Sequence, residues 1–331
     1  MNETVRLISD SADRLFEEAL DHTAREVAET GAWSADLWQA VEEAGYTQAW
    51  DETDTESREM ALALAHRAGW HAVPVPLAET MVARHLLAGH GFQPPDGPLT
   101  IADPCLLEGV ALDGQQVSGA AARVAYGRHA AGVVTVINGI VVLAPATVVS
   151  EGANMAAEPR DTIDWQGEAV RVGETLPAGQ LRAAGALVRA AQTCGALQHA
   201  LAKATQYAGE RKQFGRPLGK FQAIQHYLAR IAGLTATAEA ALARATAAPD
   251  HANIAAAKIC ASEAAGEVAT LAHQIHGAIG FTREHSLHHI TRRLLSWRDE
   301  FGAEAWWQEQ LGGLVTNAGA GRLWPLIVAE G

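Results

Sequence analysis

The chain has 331 residues, enough for about two domains of ordinary size and a sizeable buried core. Its 25 basic and 38 acidic residues leave a net charge of −13, which excludes a nucleic-acid surface, because phosphate binding needs a basic face. An anionic ligand would then require a local basic pocket. Three cysteines, Cys105, Cys194 and Cys260, lie far apart without CxxC spacing, which speaks against a disulfide framework or a zinc site and fits a reducing, cytoplasmic setting. The opening MNETVRLISDSADRLFEEAL lacks the basic start and apolar core of an export signal, so no export is expected.

Residues Glu3 to about Gly91 read as helices: Val5, Ile8, Leu15 and Leu20, then Leu37, Val41 and Ala44, recur at three-to-four spacing, with Gly45 as a stop. From about Leu99 to Val172 the pattern changes to short apolar runs punctuated by Pro104, Asp113-Gly114 and Gln166-Gly167, the signature of a small β domain. Within it, Ala131 to Val149 is almost free of charge and about long enough to span a bilayer. Its interior, VVTVINGIVVLAP, instead holds two β-branched runs around Asn138-Gly139, the dipeptide of a type I′ turn, and predicts a hairpin. After Pro177-Ala178-Gly179, Leu181, Ala184, Val188, Ala191, Gly195 and Gln198 form one stripe of a long alanine-rich helix. Further helices are expected from Phe221 to about Ala247, His251 to about His276 and Glu284 to about Trp307, with breaks at Pro249-Asp250 and Gly277 to Gly280. The fold class expected is mainly α with a small β domain: an N-terminal helical lobe over 1–98, a β-barrel or sandwich over 99–176 and a four-helix bundle over 177–331.

Familiar motifs fail on inspection. GRPLGK, Gly215 to Lys220, has three residues between its glycines, Phe221 where a phosphate loop needs Ser or Thr, and a helix before it. No GxGxxG follows a strand, and GxSxG is absent. His273, His276, His285, His288 and His289 sit at helical spacings, but no carboxylate or thiolate in register completes an obvious metal site, so no metal is expected. Trp297, Trp306 and Trp307 fit a core or an interface better than a ligand platform.

Two segments carry more information: YAGERKQFGRPLGKFQAIQHYL, Tyr207 to Leu228, and HQIHGAIGFTREHSLHHITRRLLSWRDEFG, His273 to Gly302. Together they resemble the C-terminal helical domain of the acyl-CoA dehydrogenase family of flavoproteins, with its R-x-x-F-G, F-Q and Q-x-x-G-G-x-G-F patterns. LWQAVEEAGY, Leu37 to Tyr46, is similar to that family's N-terminal helix ending, and the order of parts matches along essentially the whole chain. The resemblance implies FAD as cofactor, with Arg211 neutralising its pyrophosphate, usually that of a flavin held mainly by a neighbouring subunit. It places Phe214 and Gln222 beside the cofactor and Gln274 with Gly277 at the adenosine end, where a glycine lets backbone approach a ligand.

Family chemistry takes a proton from the α-carbon of an acyl-CoA thioester and a hydride from its β-carbon, and so needs a carboxylate base. The usual base position falls on Phe301, followed by Gly302; the alternative position, on an earlier helix, falls near Gly185. Both lack a carboxylate. Glu300 is the remaining candidate base, with Asp299 beside it, although adjacent helical residues point about 100° apart. The alternative for Glu300 is a surface carboxylate paired with Arg293 or Arg298 within the same helix. The β domain departs too: where the family carries T-E-P-x-A-G-S-D, this chain has Thr100-Ile-Ala-Asp-Pro104 and no Gly-Ser-Asp, while VAYGRH and EGANMAAEPRDT resemble shorter, divergent members.

A chain that keeps one side of the flavin site and lacks the other resembles the smaller subunit of heteromeric acyl-CoA dehydrogenases, several of which act on steroid or other bulky acyl-CoA substrates. The expectation is a cytoplasmic heterotetramer with a larger acyl-CoA dehydrogenase subunit, an acyl-CoA substrate, an electron-transfer acceptor and no nucleic acid or membrane. The competing expectations are a self-sufficient homo-oligomer using Glu300 and a non-catalytic scaffold.

Overall fold

A computed structural model describes residues 3–173, 176–177, 179–282, 284–319 and 321. Contacts divide the chain into two compact units, residues 1–188 and 189–331, with the division falling inside one long helix.

The first unit opens with five helices: α1 (Glu3–Ala19), α2 (His22–Ala28), α3 (Ala35–Glu43), α4 (Thr55–His71) and α5 (Leu77–Gly89). Helix α1 buries Val5, Ala12 and Phe16; of the residues whose spacing predicts it, Val5 and Leu20 are buried, while Ile8 and Leu15 are only partly so. Gly45 stands just past α3 with φ 73°, the left-handed stop the sequence suggests. Two four-stranded sheets follow. One orders β1 (Leu99–Ile101), β4 (Gly132–Ile137), β5 (Ile140–Ala144) and β8 (Val170–Gly173); the other orders β2 (Leu107–Asp113), β3 (Gln116–Ala125), β7 (Arg160–Glu168) and β6 (Val148–Ser150). Their inner faces share one core that includes Val117, Val124, Val133, Val142, Ile163 and Trp165, which makes the region a β-sandwich. Asn138 and Gly139 both have positive φ and join β4 to β5 in the expected register, Ile137 opposite Ile140. Gln166-Gly167 does not end a strand; both residues lie inside β7, paired with Ser118 and Val117 of β3. A long cross-strand ladder overrides the local turn signal there.

The helix α6 (Gln180–Glu210) leads into the second unit, which adds a short hairpin of β9 (Lys212–Gln213) and β10 (Arg216–Pro217) and the helices α7 (Gln222–Ala247), α8 (His251–His276), α9 (Leu287–Trp297) and α10 (Glu304–Ala318). Helix α8 is the axis of this bundle and packs against α7, α9 and α10. Its buried alanines, among them Ala257, Ala261, Ala264, Ala265 and Ala272, allow close helix approach. Asp250 caps α8 by accepting from the Asn253 N–H at 2.8 Å. Among the described residues no helix is long and apolar enough to cross a membrane.

The single helix expected from Glu284 to Trp307 is two helices. Phe301 and Gly302 interrupt it with φ of 53° and 100°. A Cβ on Gly302 would come within 2.7 Å of Trp307 Nε1, which donates to the Phe301 carbonyl at 3.0 Å. The tryptophan seals the turn, and both Trp297 and Trp307 are core residues, at 1% and 0% exposure.

Candidate functional site

The sequence-nominated cofactor residues all belong to the second unit and all are exposed: Arg211, Phe214, Gln222, Gln274 and Gly277. Arg211 directly follows α6. Its N–H closes the helix on the Tyr207 carbonyl at 2.9 Å, and its own carbonyl accepts from Leu218 across the hairpin at 2.8 Å. Between the two strands, Phe214 and Gly215 both have positive φ, with Gln213 opposite Arg216, the pattern of a type I′ turn. The K-Q-F-G-R stretch is therefore a hairpin rather than a frayed helix end. Its tip lifts the Phe214 ring to 91% exposure. Behind it Phe221 meets Phe214 edge-on at 6.2 Å and lies under the Arg216 guanidinium at 4.1 Å. The Arg211 guanidinium has no hydrogen-bond or ion-pair partner among the described residues.

The other part of the site is the end of α8. Gln274 and Gly277 line a cavity of about 570 Å³ together with Ala269, His273, Phe281 and Leu295. The Phe281 ring stacks on His273 at 4.5 Å and is itself 75% exposed. Gly277 has φ +63°, and the space a Cβ would take there is empty, so its backbone can meet a ligand closely. The two parts are tied by Tyr207, whose ring stacks on His276 at 4.5 Å. An unpaired guanidinium, two exposed side-chain amides, an open glycine backbone and an apolar cleft form a donor set suited to a dinucleotide: anion at one end, flat ring at the other.

The candidate base has a different setting. Glu300 Oε2 lies 2.7 Å from Nη2 of Arg189, an arginine of α6 that no sequence motif marks. The Arg189 side chain is 2% exposed and that of Glu300 10%. Arg189 also donates to Gln192 and lies 5.4 Å from the Trp297 ring and 5.8 Å from the Phe301 ring. Arg298 pairs outward, with Glu304 at 3.2 Å, and Asp299 is exposed. Because the segment is a turn, the helical angle between residues 300 and 301 does not apply. Phe301, at the usual base position, is buried over Arg189.

Below this pair lies Lys258, 1% exposed, which donates to Ser262 at 2.8 Å and to the Arg298 carbonyl at 2.7 Å. Burial is the main force on it and brings its pKa from 10.5 down to about 7, with Glu300 opposing and Arg189 assisting. The unfolded chain binds this proton more tightly than the folded one, so the Lys258 contribution rises with pH above about 7. Between about pH 7 and about pH 8.5 the unfolding free energy of the wild type should gain up to about 2 kcal/mol that Lys258→Met lacks. Denaturant melts of the two proteins at both pH values measure the difference.

In the first unit, the Thr100–Pro104 segment is committed to the fold. The Thr100 hydroxyl donates to the Ala125 carbonyl at 2.6 Å, and Asp103 accepts from the Cys105 N–H at 3.0 Å and faces Arg182 at 3.5 Å. VAYGRH and EGANMAAEPRDT meet through Arg128, which binds Asp161, Glu151 at 2.6 Å and the Gly152 carbonyl at 2.8 Å. The three cysteines are free.

A family model described as "Acyl-CoA dehydrogenase, C-terminal domain" matches residues 182–324, the helices that carry Arg211, Gln222, Gln274 and Gly277. Over those residues the chain is similar to the C-terminal domain of acyl-CoA dehydrogenases. A curated relative, acyl-CoA dehydrogenase IpdE2 of Mycobacterium tuberculosis, is 34% identical over 203 residues, 59% of this chain and 64% of that protein. The match thus spans just under two thirds of the relative's length. The acyl-CoA dehydrogenase fold covers the chain more fully. A chain of the Tcur3481-Tcur3483 steroid ACAD superposes with a TM-score of 0.85 at 23% identity, over 96% of this chain and 98% of that one. A chain of the ChsE4-ChsE5 complex from Mycobacterium tuberculosis does so at 0.81 and 21%, over 97% and 99%.

Proposed function

We propose that this chain is the smaller, catalytically incomplete subunit of a heteromeric FAD-dependent acyl-CoA dehydrogenase, the α,β-desaturase of an acyl-CoA thioester with a bulky, steroid-type acyl group. The observation that carries this reading is the outward placement of every cofactor-side residue. Arg211, Phe214, Gln222, Gln274 and Gly277 lie on the surface, where a second chain can complete the site. The relatives support the direction: two structurally similar chains are parts of two-protein complexes, one of them described as a steroid ACAD.

Flavin, when bound, supplies the hydride acceptor. This chain's share is binding and orientation. Arg211 would meet its pyrophosphate with paired charge-assisted bonds. Phe214 and Gln222 would pack beside the cofactor, and Gln274 with the Gly277 backbone would hold its adenosine end. Glu300 is assigned to the fold: a carboxylate already engaged by a buried arginine is a poor base, because protonating it would leave Arg189 uncompensated. The α-proton is therefore taken by a carboxylate of the partner.

The test is purification with and without a larger acyl-CoA dehydrogenase chain encoded nearby. Alone, the protein should be colourless and inactive; co-expressed, it should elute in a yellow complex, such as a heterotetramer, that reduces an artificial electron acceptor with acyl-CoA. A yellow, active protein in the absence of any partner would refute the proposal.

A further inference from the structure

Three rings meet where α6, α8 and the start of α9 come together. The Tyr207 ring stacks on His276 at 4.5 Å with 24° between planes, and His285 stands edge-on to both, at 4.6 Å from His276 and 6.1 Å from Tyr207. Tyr207 belongs to the turn of α6 whose carbonyl receives the Arg211 N–H. The stack therefore fixes the base of the hairpin against the end of α8.

Both imidazoles are built to be neutral. His276 is 3% exposed; its Nδ1–H donates to the Ala272 carbonyl at 2.8 Å, which leaves Nε2 a bare acceptor, and Nε2 has no partner among the described residues. A proton added there would be a buried donor with nothing to receive it. His285 Nδ1 accepts from the Leu287 N–H at 3.2 Å, at the first residue of α9. Protonation at Nδ1 would replace that acceptor with a donor and release the helix start.

The neighbours make charging harder. Lys203 and Tyr207 face the pair from α6 and His273 from α8, while His288 of α9 donates from Nδ1 to the His285 carbonyl at 2.8 Å. Burial pushes both pKa values below the usual histidine range, and Lys203 pushes further in the same direction for each. Among the described residues, no carboxylate figures in the charge environment that shifts either ring. A protonated pair would therefore be two like charges beside an ammonium with no counter-ion.

We propose that the Tyr207–His276–His285 stack is a proton-sensitive clasp: neutral, it positions the Arg211–Pro217 hairpin against the end of α8; charged, it lets go. The clasp does not depend on whether a flavin binds, since it is made of this chain's own rings.

Hydrogen exchange of the full chain at about pH 7.5 and about pH 5.5, corrected for intrinsic exchange rates, tests it. Amides of residues 203–221 and 284–290 should lose protection by about 10-fold or more at the lower pH, while the interior of α7 keeps its own. His276→Phe preserves a flat ring on Tyr207 and removes one of the two titrating imidazoles, so it should lose clearly less protection at the lower pH than the wild type, the remainder coming from His285. His285→Phe serves the same purpose should the first variant fold poorly. Equal protection of the wild type at both pH values, or the same loss in the phenylalanine variants, would overturn the clasp.

Discussion

Replacing Arg189 by methionine is expected to lower the unfolding free energy of the second unit by about 3–5 kcal/mol, the usual cost of removing one partner from a buried ion pair. The Glu300 carboxylate would remain 10% exposed with its 2.7 Å contact gone. Lys258 would offset part of that cost, because the same removal takes away a repulsion that disfavours its charged form. The double variant Arg189→Met, Glu300→Leu should recover most of the loss, since an apolar pair of similar volume is often as stable as the ion pair it replaces. Chemical denaturation followed by tryptophan fluorescence, fitted with a separate transition for each unit, reads this out. A double variant as unstable as the single one would mean that packing on Trp297 and Phe301, not charge pairing, is what Arg189 contributes.

Arg211→Ala is expected to weaken FAD binding by the proposed complex by about 10- to 100-fold, the equivalent of about 1.5–3 kcal/mol for a charge-assisted bond to phosphate. Because the Arg211 guanidinium is exposed and has no partner among the described residues, little folding stability should change with it. Arg211→Lys should restore only part of the affinity, a point charge in place of a planar fork. Flavin retained after gel filtration, together with titration of the flavin-free complex, measures both variants. Undiminished flavin affinity in Arg211→Ala would favour the scaffold reading of the chain.

Much of the fold was legible because local chemistry and long-range packing agree. Asn138-Gly139 can take two positive φ values at low cost, so the hairpin followed from the dipeptide alone. Asp250 and Gly277 bound α8 at the residues where the sequence ends and begins its breaks. The misses have a common cause. Gln166-Gly167 looks like a turn until β3 pairs with it, and the break at Phe301-Gly302 exists because Trp307 closes over it, a contact that no local pattern announces. Arg189 sat unnoticed in an alanine-rich helix because its role is defined by a residue more than a hundred positions later. In the candidate site, the spacing of R-x-x-F-G and Q-x-x-G located the residues, and the Tyr207 stack between them was hidden in side chains that composition does not connect.

The Phe214 tip carries a consequence for the solubility of this protein. A phenylalanine in the left-handed region is strained by about 1 kcal/mol or more, and here the same residue holds a large apolar ring in water. Asparagine would satisfy that turn with less strain and better solubility. In the proposed complex this ring would meet a partner's surface, so the solubility of the chain alone and of the complex is expected to differ.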